Sequence, residues 1–148
     1  MTRRVFFTFH YQRDVWRVNQ IRNIHNVIAK APAGFHDASL WEEAKAKGDA
    51  TVQRLIDEGL KNTSVTVVCI GHKTAGRKWI NYEIDESIKR GNGIVPVRIH
   101  NLKDRAGKTD LQGDVPVKIT RGGYTVRTYR DLASLANWIE QAATAAGR

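Results

Sequence analysis

The stretch TSVTVVCIGHKTAGRKWINYEIDESIKRGNGIVPVRIH, residues 63–100, decides how the chain folds. Val65, Val67, Val68, Cys69 and Ile70 make a near-continuous apolar run rich in β-branched residues, which suits a strand covered on both faces. Ile94, Val95, Val97 and Ile99 make a second such run, and Gly91, Asn92 and Gly93 stop the helix predicted between the two. Strand, helix and strand at this spacing form a βαβ unit with parallel strands and a right-handed crossover. The helix opens with Trp79, and Glu83 follows four residues later on the same face. At about 100° per residue, Ile80, Ile84 and Ile88 mark the core stripe, with Trp79 and Glu83 beside it. That edge lies near the C-terminal end of the preceding strand, where open α/β sheets bind ligands.

Working outward, residues 5–9 read as an interior first strand, and His10, Tyr11, Gln12 and Arg13 as the loop after it. Asp14 is the expected N-cap of a helix over residues 14–29, whose inner side is Val15, Val18, Ile21, Ile24 and Ile28. Pro32 and Gly34 break the chain, and residues 35–38 are expected as a short second strand. Ser39 with Glu42 fits a capping box for a brief helix over residues 40–47, and Asp49 caps a clearer one carrying Val52, Leu55, Ile56 and Leu60. Beyond residue 100 a polar loop precedes two expected strands, 115–119 and 124–129. A last helix is capped by Asp131, with Leu132, Leu135, Trp138, Ile139 and Ala142 inward, and residues 143–148 are expected to fray. The whole predicts an α/β class fold, a three-layer flavodoxin-like domain with a mostly parallel sheet of about five strands flanked by helices.

A chain of 148 residues holds one domain with a real core, so residues 1–148 are read as a single domain. Its one cysteine, Cys69, stands mid-strand and reads as a small core hydrophobe. The apolar run at the N-terminus is shorter than a signal-peptide core, and no stretch reaches transmembrane length, so a cytoplasmic protein without membrane association is expected. The formal net charge of +9 favours anionic partners. Its positive residues are scattered over several elements with no aromatic-interleaved stripe, which argues against nucleic acid as the main partner.

Several chemistries lack their motif. Neither G-x-x-x-x-G-K-[ST] nor G-x-G-x-x-G occurs, which removes ordinary nucleotide hydrolysis and Rossmann dehydrogenation. His10, His25, His36, His72 and His100 lack ligand spacing and no C-x-x-C occurs, so no metal is expected. H-Y-Q-R-D is not a phosphate-cradling first loop of flavin type. Ile70 and Gly71 stand where a phospho-acceptor aspartate would be.

The order S-V-T-V-V-C-I-G, K-W-I-N-Y-E-I and R-G-N-G-I-V-P-V, with V-F-F-T-F-H-Y, F-H-D-A-S-L-W and D-E-G-L-K-N-T-S upstream, resembles the TIR-like domain family. The likeness is to its flavodoxin-like branch, found in bacterial Thoeris antiphage systems, and it covers about the first hundred residues. It implies an NAD⁺-processing enzyme that cleaves the nicotinamide–ribose bond, with NAD⁺ as substrate and no further cofactor. The nicotinamide of NAD⁺ is already cationic and departs neutral, so no general acid is required. The oxocarbenium-like ribose left behind needs a nearby carboxylate. By resemblance Glu83, the glutamate of W-x-x-x-E, is that catalytic residue, and Trp79 packs against the nicotinamide or ribose. Phe9, His10 and Tyr11 would contact ribose and phosphate, with charge added by Arg13, and Asp37 and Ser39 would line the adenosine side.

Attack by water gives ADP-ribose, and attack by a hydroxyl of the same molecule gives a cyclic isomer. The Thoeris branch implies the cyclic product, a diffusible signal to a separate effector, released after a phage component acts as trigger, with homo-oligomerisation a further expectation. The competing reading is a noncatalytic TIR-type adaptor, which exposed Trp16 and Trp41 would favour.

Overall fold

The computed structural model describes residues 2–35 and 38–148. Five strands, β1 (Arg3–Thr8), β2 (Val27–Lys30), β3 (Val65–Ile70), β4 (Gly93–Arg98) and β5 (Arg127–Thr128), form one sheet in the order β2-β1-β3-β4-β5. Every neighbouring pair is parallel. Six helices connect or follow them: α1 (Tyr11–Asn19), α2 (Ala38–Lys47), α3 (Asp49–Leu60), α4 (Lys78–Lys89), α5 (Val117–Arg121) and α6 (Leu132–Ala145). The architecture is the expected α/β flavodoxin-like one, and the central βαβ unit is β3-α4-β4.

Alternation along β1 builds two cores. Val5 and Phe7 face α1 and α6, packing with Val18, Leu135 and Ile139. Phe6 faces the opposite side, toward Val52, Ile56 and Leu60 of α3. All six residues of β3 are buried, as a strand with helices on both faces requires. On the α4 side, Val68 and Ile70 meet Ile80, Ile84 and Ile119.

Several expected boundaries move. α1 stops at Asn19, not 29, and its N-cap is His10, whose Nδ1 accepts the Arg13 N–H at 3.4 Å. Asp14 therefore lies inside the helix, fully buried against Arg17. The apolar spacing that suggested a longer helix is real, since Ile21 and Ile24 are buried, but a turn supplies them. Asn26 at φ 62° then reverses the chain into β2, so the second strand is 27–30 and not 35–38. Of that expected strand, residues 36 and 37 lie outside the described residues, Phe35 is in a bend and α2 begins at Ala38. Ser39 falls within the first turn of α2, and Gly48 at φ 108° takes the N-cap position expected of Asp49.

Residues 117–121 form a helix in place of the expected strand over 115–119. Pro116 stands at its N-cap, with a φ of −53° that suits a helix start, and Ile119 is buried against the α4 layer. The second expected strand shrinks to Arg127 and Thr128, which pair parallel with β4. Asp131 caps α6 as read, accepting the Ser134 N–H at 2.7 Å, whereas Leu132 is exposed. The helix continues through Ala145 with Ala143 buried, and Arg148 donates to the carbonyls of Arg90 and Gly91.

A buried ion pair fixes the loop beside the sheet's C-terminal edge. Arg17, 2% exposed, donates to Asp14 Oδ1 at 3.0 Å and to the backbone oxygens of Leu102 and Lys108 at 2.8 and 3.0 Å. Burial pushes the Asp14 carboxyl up while the bond from Arg17 pulls it down. The backbone of Gly71 packs directly on that carboxyl, and a Cβ there would stand 2.2 Å from Asp14 Oδ2. Gly71→Ala must displace a paired buried charge, so a loss of roughly 3 kcal/mol of unfolding free energy is expected in urea titration. A value near zero would mean that Asp14 can move aside.

Candidate active site

At the C-terminal ends of β1 and β3 opens a crevice of about 760 Å³. Its walls come from the β1–α1 junction and the start of α1 (Phe9, His10, Tyr11, Gln12), from α2 (Trp41, Lys45) and from residues 72–73 and 75–80. Gln112 and Asp114 complete the rim. This is the position at which open parallel sheets bind ligands, because strand ends and helix starts converge there without filling the space.

Glu83 lines this crevice from α4 and is only 3% exposed. The helix presents it together with Ile80 and Ile84, both buried, so it stands on the inward face and not merely beside it. The fourth member of that face is Ser87, bonded to Thr66 Oγ1 at 2.7 Å, whereas Ile88, expected in the stripe, is exposed. Across the gap, Thr8 ends β1 and donates from Oγ1 to Glu83 Oε1 at 2.8 Å. Burial raises the Glu83 carboxyl from 4.5 to about 8, and the Thr8 hydrogen bond opposes that rise without cancelling it. With Thr8 as its hydrogen-bond donor and no ion pair among the described residues, the carboxyl is held mainly neutral at neutral pH, and a cation brought beside it would favour the ionised form.

Trp79, one turn earlier, is half-buried in the same wall, edge-on to Tyr82 at 5.7 Å and with Lys78 Nζ 4.8 Å from its ring centre. Phe9 and Tyr11 also line the crevice, but both are nearly buried and stack at 5.5 Å, so they form its floor. His10 is half-buried at the mouth. With Nδ1 accepting the Arg13 N–H, the ring proton belongs on Nε2. Burial, then the nearby charges of Arg77, Arg13 and Lys45, hold His10 down at about 4, so the ring is neutral at physiological pH.

Ser39 is exposed and does not line the crevice, and Asp37 lies outside the described residues. Arg13 is not available to a ligand in the expected way, because it forms a two-pronged pair with Asp110 at 3.0 and 3.1 Å. Trp41, proposed as an exposed adaptor residue, is half-buried in the crevice wall, while Trp16 is 48% exposed. Thr8, His72, Lys45, Lys73 and Arg77 were not singled out from sequence. A threonine ending a buried strand was the one available signal for Thr8. Among the described residues no group of three or more His, Cys, Asp or Glu side chains could hold a metal ion.

The raised pKa of Glu83 has a thermodynamic consequence. Between the ordinary value of 4.5 and about 8, the unfolded chain releases the Glu83 proton and the folded chain keeps it, so stability falls as pH rises through that window. At about 1.4 kcal/mol per unit, the penalty is on the order of 4 kcal/mol by pH 8. Glu83→Gln removes it. The variant is expected to match the parent near pH 4 and to exceed it increasingly up to pH 8, as read by thermal melts across pH. A pH-independent difference would contradict the buried, neutral carboxyl.

Comparison with known proteins places this geometry in a family. A family model described as Thoeris protein ThsB, TIR-like domain, matches residues 6–104, which hold the second half of β1, all of β2 to β4 and every wall of the crevice except Gln112 and Asp114. A Bacillus cereus (strain MSX-D12) protein named "Putative cyclic ADP-D-ribose synthase ThsB1" is 48% identical over 119 residues, covering 78% of this chain. The match spans 62% of that relative's length. On both counts the chain belongs to the Thoeris ThsB family of TIR-like domains.

Proposed function

We propose that the protein is an NAD⁺-processing enzyme that cleaves the nicotinamide–ribose bond and closes the product into a cyclic ADP-ribose isomer. The observation that carries this reading is Glu83: one deeply buried carboxyl, with no cation partner among the described residues, at the wall of a crevice of about 760 Å³ and one helical turn from Trp79. The name of the Bacillus cereus relative supports the cyclic product, and membership of the Thoeris family supports a signalling role in antiphage defence with a separate effector.

The chemistry follows from charge. A bound pyridinium cation lowers the pKa of a neighbouring carboxyl, so substrate itself favours the ionised Glu83 and its proton leaves to solvent. The C–N bond then breaks with its electron pair going to the nicotinamide nitrogen, which becomes neutral. Positive charge moves onto the ribose, where the carboxylate opposes it in a site of low dielectric. Thr8 holds one carboxyl oxygen through its hydroxyl and so fixes the direction of the other. Trp79 and the Phe9–Tyr11 floor exclude water, which favours capture of the ribose by a nucleophile of the same molecule over hydrolysis. The ribose carbon gains one bond and loses one, and the capturing group gives up any proton it carried.

NAD⁺ turnover by the purified protein, alone and with extract of phage-infected cells, tests the reading. Glu83→Gln is expected to be at least about 100-fold slower than the parent. Equal rates would remove Glu83 from the chemistry. Because the ionised form acts, kcat/KM is expected to climb with pH and level off above about 8. Thr8→Val, which deletes the influence that lowers Glu83, should push that midpoint higher.

A further inference from the structure

The cations around the crevice are not equivalent. Arg13 is paired with Asp110, and Lys78 with Asp49. Arg77 uses Nε to bond the Lys73 carbonyl at 2.9 Å, which anchors its side chain while its two terminal nitrogens have no carboxylate among the described residues. Lys73 likewise has no ion pair among those residues, and Lys45 has only a loose contact with Glu42 at 3.5 Å between two exposed side chains. Arg77, Lys73 and Lys45 all line the crevice, beside a neutral His10 whose Nε2 carries its proton. The carboxyls lining the same space are Glu83 and Asp114. The crevice thus combines cations that lack a close carboxylate partner among the described residues with the Trp79 ring and the buried acid.

We propose that Lys45 and Arg77, with His10 Nε2–H between them, form an anion subsite that takes the diphosphate of a dinucleotide and so orients its nicotinamide end toward Glu83. This deepens, and rests on, the reading of NAD⁺ as substrate. The two cations come from different elements, α2 and the segment between β3 and α4, and both act on His10 across the crevice they line. A guanidinium presents paired donors that match two phosphate oxygens, and a lysine adds a mobile point charge. His10 contributes a neutral donor that remains protonated on Nε2 when the anion arrives. Specificity follows: a ligand lacking the diphosphate has nothing to hold its adenosine half, and its ribose is free to turn away from the acid.

Calorimetry on the full chain decides it, using Glu83→Gln as parent so that NAD⁺ is not consumed. Lys45→Gln with Arg77→Gln, added to that parent, is expected to weaken both NAD⁺ and ADP at least 10-fold. Lys61→Gln, an exposed cation at the other end of the sheet, should change neither. Thermal melts confirm that each variant is folded, which exposed positions favour. If NAD⁺ binds the parent and the double substitution changes nothing, the subsite is wrong and the NAD⁺ reading survives. If NAD⁺ weakens but ADP does not, the cations act away from the diphosphate and the subsite is wrong. Equal weakening by Lys61→Gln would reduce the effect to general charge and overturn the proposal. A parent that binds neither NAD⁺ nor ADP would overturn subsite and substrate together.

Discussion

A single hydrogen bond, from the hydroxyl that ends β1 to the carboxyl on the inner face of α4, joins the two halves of the crevice. It exists because the parallel sheet sets β1 beside β3, with Thr8 level with Val68, and because the crossover from β3 returns α4 over that same face. The sheet supplies the rigidity and the crossover supplies the direction. An acid on a helix would ordinarily point to water, and here the fold turns it inward where water cannot solvate it. The buried carboxyl weakens the core as pH rises toward neutral, so its position is not explained by stability.

Around that bond the molecule separates polar groups by task. Arg17 and Asp14 neutralise one another in the interior and tie the loop after β4 to α1, so Gln112 and Asp114 are presented by a braced segment. Thr63, Thr66, Ser87 and Asn92 satisfy one another near the C-terminal end of α4, on its inward face. The second network is closed, whereas the first leaves Asp14 Oδ2 without a hydrogen-bond partner among the described residues. The crevice in turn is lined by a buried acid and by cations without a close carboxylate partner among the described residues.

The sequence showed the β3-α4-β4 unit plainly, because buried parallel strands are runs of β-branched residues and Gly91 to Gly93 punctuate the return. It also put Trp79 and Glu83 on one side of α4, since residues four apart must share a face. What it could not show follows from the same physics. Apolar spacing past Asn19 looked helical because Ile21 and Ile24 are buried in a turn, and periodicity reports burial before it reports backbone shape. Five residues at 117–121 are too few for a period to emerge, so Val117 and Ile119 looked like alternation. Ile88 and Ser87 exchanged roles because a wheel drawn on hydrophobicity cannot anticipate a serine bonded to Thr66. Lys73 and Arg77 in a loop looked like any solvated charge, and only the neighbours show which cations are already paired.

The two margins of the sheet also matter for how copies of the chain behave when crowded. At one border β5 is two residues long, so its exposed hydrogen-bonding row ends before a foreign strand could settle on it. At the other, β2 is four residues long, finishes in Lys30 and runs within two residues into Pro32, which has no N–H to offer. Neither border is a template for ribbon growth. Copies of the chain can therefore accumulate without their sheets fusing edge to edge.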